Sequence, residues 1–313
     1  MPRSKSPAAR KAPAKSTADG SIAWGDFNAT PMTKALVIFA AVHVVYAAEM
    51  MGFQLFDGEN KPSFKAVPAC KKYLADSEGC EANHYLNTLY IFFGMNLLCA
   101  QILTLCTAFR SNAAFQVTLI RARALQTLSV LSLLMAGKGI IEPQQFTVAI
   151  CLQIGLAFFL QNALREQGTG LALGARDFSK HGNVGYFVLA LAFCGLYYFI
   201  DVAILSGNGA YAAEGADTTS PTVLHIGAWW ASSQLIVVSD CIFSFEYLST
   251  AEIETNAQVF FAHSLLGYYM TTQPSMQAAF AAAKTQEIGI IYLVFAAGWA
   301  YFGFGDKLGI KKD

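Results

Sequence analysis

Seven ionisable side chains sit inside otherwise apolar sequence: His43, Glu49, Arg121, Arg123, Asp201, Asp240 and His263. At the centre of a bilayer such a group costs roughly 2.5–3.5 kcal/mol by insertion scales, so each needs a partner or a task. Carboxylates and imidazoles in that setting relay protons or bind ions, whereas arginines pair with acids and clamp helices. Each residue also has a plainer reading. Glu49, about 10 Å below the outer boundary if its segment ends at Phe56, suits either a substrate or proton site or a carboxylate paired with a neighbouring helix. Asp201 lies four residues before Leu205 and reads as an interfacial residue reaching water. His43 has no partner at i+3 or i+4, so it reads as a helix-packing residue rather than a metal or haem ligand.

Arg121 and Arg123 read as interfacial if their helix enters the bilayer core at Ala124, where both would snorkel to the cytosolic surface. Asp240 resists such a reading, because its segment is apolar on both sides. It is expected to contact either His263, across a short helical hairpin, or Arg121. The first pair is titratable and suits proton coupling; the second is a permanent ion pair that would clamp two parts of the molecule together.

The elements that must hold these residues are membrane helices. The stretch Ala35 to Phe56 is about long enough to cross a bilayer core, for which roughly 20 residues suffice. Further segments are expected at Tyr85–Phe109, Ala113–Gly137, Gln145–Leu164, Tyr186–Leu205, Val223–Leu248, Ala257–Ala283 and Ile288–Gly305. Pro143 sits where a helix should start, and Pro274 should kink the seventh segment. The expected fold is therefore an all-α polytopic membrane protein of eight transmembrane helices.

These segments divide into two sets of four with the same spacing, a helix, a longer loop, then three helices on short turns. Tyr46-Ala-Ala-Glu49 is echoed by Tyr198-Phe-Ile-Asp201, His84 by His225, and Asn112-Ala113 with Gln116-Val117 by Asn256-Ala257-Gln258-Val259. This predicts a tandem duplication whose copies run parallel, since each unit makes an even number of crossings. The domains expected are a disordered basic tail over 1–31, a first membrane repeat over 32–164, a linker over 165–183, a second repeat over 184–305 and a tail over 306–313.

Composition agrees. Of 313 residues, 55% are hydrophobic and only 13% charged, against about 25% charged in soluble domains; the mean hydropathy is +0.41. A formal net charge of zero gives no electrostatic footprint for nucleic acid. The expected surroundings are the lipid bilayer, with further copies of the chain or partners in a membrane complex as its protein contacts. The Lys/Arg bias places both termini in the cytosol, although the basic, acid-poor start would also suit an organelle transit peptide, so the membrane itself is not specified. The sequon Asn28-Ala-Thr30 would then face the cytosol.

Five of the seven cysteines fall in apolar segments and read as small buried hydrophobes. Cys70 and Cys80 lie in a polar loop and are expected to form a disulfide on the outer side. No GxSxG, HExxH, P-loop or dinucleotide fingerprint occurs, and no metal or cofactor is expected. Lys284 lies at a helix end among polar residues, which argues against a retinal-type attachment. The leading expectation is a transporter of a small solute or ion, with proton coupling as one form of it. The alternatives are a structural or assembly subunit of a membrane complex and a membrane-embedded enzyme acting on a lipid-like substrate.

Overall fold

A computed structural model describes residues 30–52, 67–76, 83–109, 113–168, 190, 194, 212–247 and 250–309. Its helices are α1 (Pro31–Met50), α2 (Val67–Tyr73), α3 (His84–Ala108), α4 (Ala113–Ala136), α5 (Pro143–Glu166), α6 (Pro221–Tyr247), α7 (Thr250–Thr271), α8 (Pro274–Ala279) and α9 (Ala282–Phe304). The described residues contain no strand. Five helices, α1, α3, α4, α5 and α9, are long and apolar enough to cross a membrane. The chain is thus built as an all-α, multi-pass membrane protein.

Helix starts follow local chemistry. The Thr30 hydroxyl accepts from the Thr33 N–H at 3.1 Å with Pro31 at the first helical position. The Asn83 side chain accepts from the Leu86 N–H at 2.9 Å. Glu142 caps α5 through the Gln145 N–H at 2.8 Å, again with a proline following. Each cap satisfies an N–H that the first turn leaves unpaired. The sequon threonine is therefore occupied as a helix cap.

The distribution of residues is that of a protein in lipid. Large apolar side chains point outward, among them Phe158 at 70%, Val294 at 60% and Met135 at 59% exposure, while Arg123 and Asp240 are 1% exposed. Water would favour the reverse arrangement. Small residues let helices approach closely: a Cβ on Gly94 of α3 would lie 2.8 Å from the Ala47 carbonyl oxygen of α1.

Packing is organised around α3 and α6, which lie against each other. Helix α4 packs on α5 and α6, while α7 packs on α9 and α3; α1 packs on α3 and α5. At the end of the bundle where α1 finishes, two short backbone bridges tie loops to helical turns. Leu74 pairs with Ile141, supported by bonds from Ala75 N–H to the Ile140 carbonyl and from Glu142 N–H to the Tyr73 carbonyl, both 2.9 Å. Ala212 pairs with Phe280, supported by a 2.9 Å bond from Ala213 N–H to the Ala279 carbonyl.

Several expected boundaries shift. Helix α1 begins before Ala35 and ends at Met50, where Gly52 turns the chain at φ 87°. Glu49 therefore sits in the last turn of its helix, not a third of the way into it. The segment expected to bend at Pro274 instead ends at Thr271; α8 and α9 start afresh, because proline cannot accept a place inside a helix without losing a ladder bond. The segment Tyr186–Leu205, all but Ala190 and Cys194, lies outside the described residues, as does Asp201. Cys99 is buried as expected, whereas Cys151 is exposed on the outer face of α5; a thiol is apolar enough to face lipid.

Candidate functional site

Three tiers of polar residues run through the bundle. The first lies at the end where α1 finishes. The Tyr73 hydroxyl donates to one oxygen of Glu49, and Lys72 Nζ donates to the other at 2.8 Å. Both partners come from α2, so a seven-residue helix is moored to the last turn of α1. Burial above all, and then the bond to Glu49, pushes the Tyr73 phenol above its usual range. It stays protonated and keeps donating. Glu49 is nearly buried, while Lys72 is 45% exposed, so the phenol rather than the ammonium supplies the better-shielded contact.

The second tier is a cavity of about 100 Å³ between α1, α3, α4, α5 and α6, with Tyr73 of α2 in its wall. Its walls are mainly apolar and aromatic, and its polar groups include His43, Gln126, Gln153, His225 and Ser233. Hydrogen-bond partners fix the orientation of four of these. The Phe39 carbonyl can only accept, so His43 Nδ1 is the donor at 2.9 Å. In the neutral ring its Nε2 is then an acceptor, and Gln153 Nε2 donates to it at 3.2 Å. Trp229 Nε1 can only donate, so His225 Nε2 is the acceptor at 2.9 Å. A guanidinium can only donate, so the Gln126 amide turns its Oε1 to Arg123 Nη1 at 3.3 Å. What remains is one free amide donor, Gln126 Nε2, and one free amide acceptor, Gln153 Oε1. Both are buried with no hydrogen-bond partner among the described residues.

The third tier lies deeper. Arg123 donates from Nη1 and Nη2 to the two carboxylate oxygens of Asp240 at 2.9 and 2.7 Å. Its remaining donors go to the Thr104 hydroxyl from Nε at 2.9 Å, to the Ala100 carbonyl from Nη2 at 3.0 Å and to Gln126 Oε1 from Nη1. A planar fork that meets a carboxylate bidentately and spends its other N–H groups nearby is what makes a buried pair tolerable. Beside it, His263 Nε2 donates to Asn96 Oδ1 at 2.9 Å, Asn96 Nδ2 to Ser233 Oγ at 3.0 Å, and Ser233 Oγ to the Trp230 carbonyl at 2.6 Å. This directed chain joins α7, α3 and α6 and passes through Ser233, which lines the cavity.

The expected partner of Asp240 is thus corrected. Its carboxylate is held by Arg123, two residues beyond Arg121, and His263 is engaged by Asn96. Arg123 does not reach toward a surface: it is 1% exposed and its guanidinium is spent inside the bundle. Arg121 is half-buried on the same helix, one-half turn away from the face that Arg123 turns inward.

Of the remaining candidates, His43 reaches the cavity, and neither Glu49 nor Asp240 is part of its wall. The important omissions are Gln126 and Gln153; His225 enters the sequence reading only as the echo of His84, not as a site residue. One signal was present in the sequence: Gln145, Ala149 and Gln153 follow one another at i, i+4 and i+8, and all three line the cavity. Among the described residues, no three His, Cys, Asp or Glu side chains converge as a metal site would require. No family model matches this chain, and neither does any curated protein or solved structure.

Proposed function

We propose that the chain is a transporter that carries a small solute across a membrane through the cavity between α1, α3, α4, α5 and α6. The observation that carries this reading is the cavity itself: lined by helices from separate parts of the chain, and furnished with two buried amides, each with one polar atom left unpartnered. Buried polar groups are normally matched, so unmatched ones in a cavity favour a ligand. The imidazoles of His43 and His225, which line it, are the groups through which a proton-coupled form would run, while Glu49 and Asp240 are engaged elsewhere.

In this reading the membrane domain is a parallel duplication with eight crossings, Tyr186–Leu205 taking the place of α1 in the second unit. The packing pattern supports it. Exchanging α3 with α6, α4 with α7 and α5 with α9 preserves which of these six helices touch, since α4 on α6 becomes α7 on α3 and α4 on α5 becomes α7 on α9. The two backbone bridges, at Leu74–Ile141 and Ala212–Phe280, exchange as well. Both termini face the cytosol by the charge bias, and Cys70, which is buried, pairs in this reading with Cys80, a residue outside the described ranges.

A structural subunit is the second reading, favoured by Arg123–Asp240, a fully buried pair of the kind that fastens helices permanently. An enzyme ranks third, since among the described residues no carboxylate lines the cavity beside the imidazoles. The distinguishing experiment is flux in proteoliposomes. Glycerol and urea entry followed by light scattering, and proton entry followed by an enclosed pH dye, should exceed empty liposomes for at least one solute. Val130→Trp, which fills the cavity, should abolish that excess. Flux equal to that of empty liposomes for solutes and protons alike would hand the case to the structural subunit.

A further inference from the structure

The ligand class of this cavity can be read from the same groups, an inference that rests on the cavity being a binding site. We infer that it takes a small uncharged molecule with an apolar, ring-sized body carrying both a hydrogen-bond acceptor and a hydrogen-bond donor.

Charge is excluded first. No Asp, Glu, Lys or Arg is among the residues that line the cavity. The nearest candidates are already committed: Arg123 and Asp240 satisfy each other, and Glu49 faces Lys72 and Tyr73. An ion entering these walls would lose its hydration with no countercharge in exchange.

Polarity comes next. Gln126 and Gln153 are each 5% exposed, and each amide is oriented by a partner that leaves no freedom to flip. Arg123 engages the Gln126 oxygen and leaves Nε2–H as an unpartnered donor. His43, with Nδ1–H committed to the Phe39 carbonyl, forces Gln153 to spend its NH₂ and leaves Oε1 as an acceptor. A matching ligand must therefore accept from Gln126 and donate to Gln153; a hydroxyl does both.

Size and shape follow from the walls. One water requires roughly 10–15 Å³ on the same scale, so a cavity of about 100 Å³ holds a body of several heavy atoms. Tyr46, Tyr90, Phe93 and Trp229 surround it with aromatic surface, which suits a flat ring.

Three probes with one body separate the claims: phenol, toluene and benzoate, titrated against the detergent-solubilised full chain by calorimetry. Phenol should bind saturably and roughly tenfold more tightly than toluene, as one or two well-placed hydrogen bonds allow, and benzoate should not compete with it. Gln126→Met and Gln153→Met should each remove most of phenol's advantage and leave toluene binding unchanged, which also certifies that the cavity still forms. Benzoate binding as tightly as phenol would overturn the uncharged class. Toluene matching phenol would overturn the donor–acceptor pair. Absence of saturable binding by all three would mean that the amides serve water alone, and the inference falls. Flux in proteoliposomes without phenol binding would sink this ligand class and leave transport standing; phenol binding without flux would do the reverse.

Discussion

Arg123 and Asp240, separated by 117 positions in the chain, face each other through two parallel hydrogen bonds, each residue 1% exposed. The pair joins α4 to α6. A buried pair contributes little net stability compared with apolar residues of the same volume, but loss of one partner strands a charge and costs roughly 3–5 kcal/mol. Asp240→Asn and Arg123→Met should each lower the melting temperature and the yield of monodisperse protein. The double variant Arg123→Met/Asp240→Leu should recover most of the loss. If Asp240→Asn melts like the parent, the pair is not a clamp.

The Tyr73–Glu49 contact predicts how α2 is held. A hydrogen bond to a charged group contributes about 1.5–3 kcal/mol, so Tyr73→Phe should open α2 locally, with amide exchange over Val67–Tyr73 faster by roughly tenfold or more. Lys72→Ala should change it far less, because its ammonium is half in water. The sign of the pH dependence follows from the raised phenol. The stabilisation is fully present below the ordinary Tyr value of 10.0 and declines as pH climbs beyond it, since the unfolded chain then releases the proton first. Thermal stability should therefore fall above about pH 10, and Tyr73→Phe should lack its share of that fall. An identical alkaline decline in the variant would show that Tyr73 takes no part.

Gly137, in the turn after α4, offers a probe of the cavity that alters no polar group. A Cβ there would lie 2.4 Å from His225 Nε2, the atom that accepts from Trp229. Gly137→Ala should displace the imidazole, release the indole N–H and change Trp229 fluorescence, while lowering stability by about 1–3 kcal/mol as overpacking does. Unchanged emission would mean that the ring and turn separate without disturbing the wall.

The proposed Cys70–Cys80 pairing makes a chemical prediction. Alkylation without reductant, followed by peptide mass spectrometry, should leave both residues unmodified and linked, and Cys99 should become reactive only on unfolding because it is buried. Alkylated thiol at both Cys70 and Cys80 would refute the bond and weaken the assignment of that loop to an oxidising side.

What the sequence determined by itself was the class of the protein and the cost of its charges. Long apolar runs cannot be coated by so few charged residues, so helices in lipid follow from composition and hydropathy alone, and prolines and capping residues announce where several helices begin. The same logic singled out Asp240, because a carboxylate flanked by apolar residues must find a partner. Which partner was decided only by tertiary packing. Arg121 and Arg123 differ in sequence by two positions but on a helix by about half a turn, and the crossing of α4 with α6 selects one of them. Gln126 and Gln153 were still less visible: a neutral amide costs far less in an apolar helix than a charge and raises no alarm in a sequence. Their significance arises because α4 and α5 bring them to one cavity, where Arg123 and His43 occupy half of each amide and leave the other half for something else to bind.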